Sequence, residues 1–257
     1  MSIALCTRII LLLAPVTATA FGDCAYQRDI DLRLDASQLA MAEVHSAAGD
    51  ETILGTNNES SAVINGRVCA SSQKLLDAAQ LTAVTQGDKL MVRSELPEQH
   101  GGWNSYAHID FTLQLPNHLP LTLDDRSGDV RIKDMHGGLI INDRSGDIKI
   151  SNTAGRLQLS DNSGDIKIDQ HQGDLLIESD RSGDIEIQDV DGVVEIAEDR
   201  SGDIRIRTVS RDVIIGRDRS GDIDVSDVDG NFNVTSDGSG DISYRDIGGS
   251  VNVPEDD

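Results

Sequence analysis

The stretch DRSGDIKI, Asp143–Ile150, and its near-copies decide the fold of this chain. Ser-Gly-Asp recurs at Ser127, Ser145, Ser163, Ser182, Ser201, Ser220 and Ser239, with successive spacings of 18, 18, 19, 19, 19 and 19 residues. A catalytic constellation needs one copy of its chemistry. A fixed short period instead marks structural units that cannot bury a face alone and therefore stack on their neighbours.

Each repeat holds two short runs in which apolar and polar residues alternate, the pattern of strands buried on one face. The first follows the Gly-Asp pair, as in GDIKI (146–150), GDIEI (183–187) and GDIRI (202–206). The second follows a turn, as in DVDGVVEI (189–196) and DVDGNFNV (227–234). Laid in register, the repeats give four inward columns. They are Val130/Ile148/Ile166/Ile185/Ile204/Ile223/Ile242, Ile132 to Tyr244, Leu139 to Val251 and Ile141 to Val253. The fold class is therefore all-β: a parallel β-solenoid of 18–19-residue coils. At a parallel strand spacing of about 4.8 Å, seven rungs make a rod of roughly 34 Å. Glycines occur at both corners, Gly128 to Gly240 at the first and Gly137, Gly155, Gly173, Gly192, Gly230 and Gly249 at the second. Both sets are read as positions of positive φ. Arg211 interrupts the second set, so that corner is either distorted or does not need positive φ, and Thr153 and His171 occupy a slot that is otherwise apolar.

The organisation reads as residues 1–20, a signal peptide; 21–120, an irregular β-rich N-terminal cap; and 121–257, the solenoid with its seven Ser-Gly-Asp coils. The leader has one positive charge at Arg8, an apolar run Ile9–Leu13 and a small-residue end at Ala18-Thr19-Ala20. That pattern directs export, and the run is too short to span a bilayer. Phe21-Gly22-Asp23 before Cys24 is a poor setting for lipid attachment, so a soluble exported protein is expected, periplasmic or at the cell surface. After cleavage two cysteines remain, Cys24 and Cys69, and in an oxidising compartment they are expected to form a disulfide. Within the cap, strands are expected at 29–34, 61–68, 89–96 and 106–116. SAAGDETILG (46–55) faintly echoes the repeat, and SQKLLDAAQ (72–80) reads as a short helix or a bend. Pro254 and the acids after it discourage further strand pairing.

With 45 acidic and 22 basic residues the formal net charge is −23, which argues against nucleic acid or anionic membrane as a partner. Aromatics make up 3% of the chain, too few for an ordinary compact core but enough for stacked Ile, Val and Leu.

LQLPNHLPLTLDDRSGDVRI (113–132), followed by the repeated Ser-Gly-Asp-Ile strands, resembles the bacterial putative-adhesin domain family, domain of unknown function 4097. The resemblance implies a parallel β-solenoid on an exported or membrane-attached protein, and it brings no catalytic residues.

Two Asp columns flank the Ser-Gly pair, Asp125 to Asp237 and Asp129 to Asp241, with Arg126, Arg144, Arg181, Arg200 and Arg219 between them. Calcium favours oxygen-rich edges of this kind. The repeat is not the glycine-rich nonapeptide of calcium rolls, however, so an interleaved Arg ladder and side-chain turns are the preferred reading. The six His residues show no paired metal spacing, and no carboxylate cluster departs from the columns to build a cleft. Neither a catalytic nor a metal site is therefore assigned. EQHGGWNSYAHI (98–109), with the sole Trp, reads as a seal over the first coil, with a sugar-stacking loop as the alternative.

The expected function is a non-enzymatic, adhesin-like solenoid presenting an acidic surface to an envelope protein or polysaccharide. A calcium-dependent surface module is the alternative, and a carbohydrate-active β-helix enzyme ranks third. Ile140, Leu176 and Ile214, outward on the second strand of alternate coils, form the candidate partner strip.

Overall fold

The computed structural model describes residues 24–98 and 104–254, and in it the period of the sequence becomes two facing sheets of eleven strands each. Each coil contributes one strand to each sheet. In the first coil the Ser-Gly-Asp corner leads into Val130–Lys133, the chain bends, and Leu139–Asn142 returns along the opposite sheet. Successive coils pair in parallel and in register: Ile148 beside Ile166, Ile166 beside Ile185, Ile185 beside Ile204. The anticipated inward columns are the core, and Ile166, Ile185, Ile204, Val213, Ile215 and Phe232 are fully buried. Each such side chain contributes about 1.5–3 kcal/mol by leaving water, and identical residues repeat because every rung presents its neighbour with the same hole.

At the C-terminal end the columns lose their cover. Tyr244 is 48% exposed and Val251 36%, so the last members of two predicted inward columns are not core. Among the described residues the final coil has a neighbour on one side only, and Phe232 lies under Tyr244 with ring centroids 5.9 Å apart.

The second corner also differs from expectation. Gly155 and Gly173 have positive φ as expected, but Gly137, Gly192, Gly230 and Gly249 do not; every bend instead has a left-handed non-glycine residue, Asp134, Asn152, Gln170, Asp189, Thr208, Asp227 or Asp246, at φ between 50° and 60°. Asp and Asn tolerate this region best, which suits them to most of these bends. Gly192 is small for a different reason: a Cβ there would fall on the Gly173 carbonyl. Arg211 can replace glycine because the position does not need a left-handed backbone.

The N-terminal segment contains β1 (Tyr26–Asp35), β2 (Met41–His45), β3 (Glu51–Thr56), β4 (Ser61–Ala70), α1 (Gln73–Ala78), β5 (Gln80–Gln86), β6 (Lys89–Glu95) and β7 (Ala107–Pro116). All four strands expected there are present, and residues 73–78 are a helix, with the Ser72 side chain accepting from the Leu75 N–H at 3.3 Å. The faint echo at 46–55 proves to be a coil. β2 pairs in parallel with Leu121–Asp124, β3 pairs in parallel with Val130–Lys133, and Gly49 stacks against Gly128. One more parallel layer follows, β6 on β2 and β7 on β3, and only beyond it does the direction reverse: β4 runs antiparallel to β7 and to β1, and β5 antiparallel to β6. Cys24 and Cys69 form the expected disulfide, Cα atoms 5.5 Å apart, tying the start of this segment to β4. The leader lies outside the described residues.

Replacing Ile185 by Ala should cost about 2–5 kcal/mol in urea unfolding, because the rungs on either side cannot collapse into the space; a loss below about 1 kcal/mol would mean that the core columns are not close-packed. Reducing the disulfide, which closes a loop with a sequence separation of 45, should lower stability by up to about 4 kcal/mol. Two titratable thiols in oxidised protein would remove that tie.

Candidate functional site

Every DRSGD corner brings two carboxylates, a glycine and an arginine to one edge of the rod. The second Asp of each corner faces the next coil. Oδ1 of Asp147 accepts the backbone N–H of Asp165 at 3.0 Å, Asp165 that of Asp184 at 2.9 Å, Asp184 that of Asp203 at 3.0 Å, and Asp203 that of Asp222 at 3.0 Å. The ladder begins N-terminal to the repeats, where Asp110 accepts from Asp50 and Asp50 from Asp129. A short side chain with an acceptor at this reach is what the position demands, which explains the invariance of Asp along the column.

The anticipated Arg ladder is not what balances these charges. Arg200 and Arg219 pair with Glu198, at 3.6 and 2.9 Å. The cations that meet the second Asp column stand on the strands: Arg131 reaches Asp129 at 2.9 Å, and Arg205 reaches Asp184 at 3.2 Å and Asp203 at 2.5 Å. A strand residue two positions after the Asp lies on the same face of the coil, whereas the corner Arg points away into solvent.

The first Asp of each corner is not on the surface. Asp125, Asp143, Asp161, Asp180, Asp199 and Asp218 are all at most 3% exposed. Oδ1 accepts a backbone N–H of the following turn, from Arg144 at 2.6 Å for Asp143 and from Arg200 at 2.7 Å for Asp199. Oδ2 of Asp143, Asp161, Asp180, Asp199 and Asp218 has no protein partner. At the N-terminal end Glu51 occupies the inward column of Val130 and Ile148, fully buried, with neither carboxyl oxygen bonded. Burial, then neighbouring carboxylates, push Glu51 up to about 10 and Asp125 to about 7. Burial is also the leading cause at Asp161 and Asp199, raised to about 7, and at Asp180 and Asp218, raised to about 6. Sequence reading assigned the column to the exposed turn, although the alternation of the preceding strand, continued through Leu139, Ile141 and Asp143 or Leu157, Leu159 and Asp161, already points it inward; one extra residue obscures this before Asp180 and Asp199.

The residues of the candidate strip align along one sheet face, but of its three aliphatics only Ile140 is exposed. Ile140 aligns with Gln158, Gln158 with Leu176, Leu176 with Glu195 and Glu195 with Ile214, on the outer face of one sheet. Ile140 is 45% exposed; Leu176 and Ile214 are half-buried by their neighbours.

Beside the first coils lies a groove of about 1040 Å³ whose wall includes His45, Asp124, Asp125 and Asp143. His45 Nε2 meets Glu43 at 2.6 Å and Nδ1 meets Asp124 at 3.1 Å, while Lys89 holds the other Glu43 oxygen at 2.6 Å. Lys89, then His45, hold the Glu43 carboxyl below its ordinary range. With both ring nitrogens facing carboxylates, His45 is not arranged to activate a nucleophile. Sequence reading missed this cluster because its members come together only through the pairing of β2 with β6 and with Leu121–Asp124. Thr153 and His171, the polar pair in an apolar slot, hydrogen-bond each other through Oγ1 and Nδ1 at 2.9 Å. Among the described residues no group of three His, Cys, Asp or Glu side chains is placed to hold a metal ion. Trp103 lies outside the described residues.

The sequence pattern of the Toastrack DUF4097 family matches residues 71–253. A crystallised protein named putative adhesin from Bacteroides fragilis is 14% identical over 88% of this chain and 97% of its own, with a TM-score of 0.50, and shares the fold. A putative cell adhesion protein from Clostridium sporogenes is 9% identical over 89% of this chain and 100% of its own, at 0.38. A putative lipid binding protein from Parabacteroides distasonis is 13% identical over 88% and 97%, at 0.33. No curated protein matches the chain.

If the second Asp column works by capping amides, Asp165→Ala should cost about 0.5–1.5 kcal/mol in chemical denaturation, while Arg181→Ala should change stability by less than about 0.5 kcal/mol. Equal losses would restore the Arg ladder as the stabilising element.

Proposed function

Since the chain belongs to the Toastrack DUF4097 family, we propose that it is a non-enzymatic, exported β-solenoid that attaches to a protein or polysaccharide of the bacterial envelope. One observation carries the reading. The rod is regular from coil to coil, and Ile140, Leu176 and Ile214 fall into one outward column with uncharged Gln158 and a single acid, Glu195, between them. That column is an apolar line on a protein whose formal net charge of −23 keeps it dispersed. The disulfide between Cys24 and Cys69 supports an oxidising destination, as expected for an exported chain. The Bacteroides fragilis protein that shares the fold is named a putative adhesin, which agrees with this reading.

The strip is tested by replacing Ile140, Leu176 and Ile214 together with Thr, which keeps β-branching on the outer face. Binding to isolated cell envelopes should fall at least about tenfold, equivalent to 1.4 kcal/mol, while the melting temperature stays within a few degrees. Unchanged envelope binding by a folded triple variant would leave the strip as ordinary surface.

A further inference from the structure

Six carboxyl groups, Asp125, Asp143, Asp161, Asp180, Asp199 and Asp218, are stacked inside one corner of the solenoid. Their order is fixed by the backbone: the N–H of Asp143 donates to Ser160, of Asp161 to Ser179, of Asp180 to Glu198 and of Asp199 to Arg217, so each Asp stands one coil from the next. That is about 4.8 Å. In five of the six, Oδ1 is committed to the turn and Oδ2 has no donor. A row of buried anions at this spacing, with no cation among them, is not a stable arrangement. Hydrogen atoms placed between neighbouring carboxyls satisfy the free oxygens and remove the repulsion together. We propose that this corner is a proton-sharing carboxyl ladder, so that the rod is tightest in mildly acidic solution and loosens as the ladder loses its protons.

The charged groups around the ladder do not supply an alternative. Glu51 from β3 meets its first member, and Asp50, Asp129, Asp165 and Asp237 face it from the turns, all of them acids. Arg126, Arg144, Arg181, Arg200 and Arg219 are exposed at the neighbouring positions. At the N-terminal end His45, Arg93, Glu95 and Asp124 line the groove outside Asp125, and His45 is engaged with Glu43 and Asp124. The sign follows from the raised values. Carboxyls of the unfolded chain titrate near 3.8, whereas Asp125, Asp161 and Asp199 are raised to about 7, Asp180 and Asp218 to about 6, and Asp143 is raised as well by burial. The folded state therefore holds more protons through this interval, and the ladder's contribution, complete below about pH 4, is lost as pH rises through 6 to 7.

The experiment compares melting temperatures at about pH 5 and about pH 8, at constant ionic strength, for three proteins. The parent should melt lower at the higher pH by roughly 5 °C or more. Asp180→Asn/Asp199→Asn, whose amides can accept from the turn and donate along the ladder without a titrating proton, should melt higher than the parent at the higher pH and lose at least about half of the difference. Asp227→Asn/Asp229→Asn, which removes two charges from an exposed corner, should keep the parent's difference, separating the ladder from general charge repulsion. A parent that melts no lower at the higher pH, or a ladder variant with an undiminished pH difference, overturns the proposal. Infrared difference spectra of the parent decide the matter even if the ladder variant does not fold. A protonated-carboxyl carbonyl band present at about pH 5.5, where exposed Asp and Glu are ionised, should shrink by about pH 8, a loss to which Glu51, pushed up to about 10, does not contribute; a band that is absent at the lower pH or does not shrink overturns the ladder.

Discussion

At each Ser-Gly-Asp corner the backbone of one coil lies directly on the backbone of the next, and the rest of the molecule depends on that contact. A Cβ on Gly183 would overlap the carbonyl of Gly164, and its φ of 134° excludes ordinary side chains as well. The Gly183 N–H donates to Ser201 at 3.1 Å and the Ile185 N–H to Asp203 at 2.9 Å. With the corner pinned, the strand that follows can take only one register, since a slip of one residue would turn every inward Ile outward. Register in turn lines up the columns, and the columns make the core. The corner Asp residues complete the hydrogen bonding that the sharp turn would otherwise leave open.

Much of this was legible because period and alternation are both local signals. The inward columns could be written down from residue numbers alone, and Ile148, Ile166 and Ile185 stand beside each other as the spacing requires. What could not be read depended on contacts far apart in sequence. The coil of β2 and β3 carries Glu51 where repeats carry Ile, so its echo was faint, and only its pairing with Val130–Lys133 reveals it. At the second corner the recurring Gly suggested a left-handed turn. The strain instead falls at Asp189 and its counterparts, and Gly192 is set by the closeness of Gly173. The outward strip was legible because strand alternation fixes it; the inward Asp column follows the same alternation through Asp143 and Asp161 but was read as part of the exposed turn, since one extra residue breaks the pattern before Asp180 and Asp199.

The same charge has opposite consequences on the two sides of the corner. Outside, Asp147, Asp165 and Asp184 accept the amides of the next coil, and Arg205 meets Asp184. Inside, Asp161, Asp180 and Asp199 are held away from water, and charge there works against the fold. A protein with a formal net charge of −23 thereby keeps an acidic exterior without carrying all of its acids as anions. Its two outer sheet faces differ, one crossed by Lys149, Lys167 and Arg205, the other by Ile140, Leu176 and Ile214.

The central claim, that backbone stacking at the glycine corner fixes the solenoid, is tested most directly by the stability of Gly183→Ala in urea. The added methyl group must either displace Gly164 or force the corner open, at a cost of at least about 2 kcal/mol. A variant within about 0.5 kcal/mol of the parent would contradict the claim, since the corners would then be following the core columns rather than setting them.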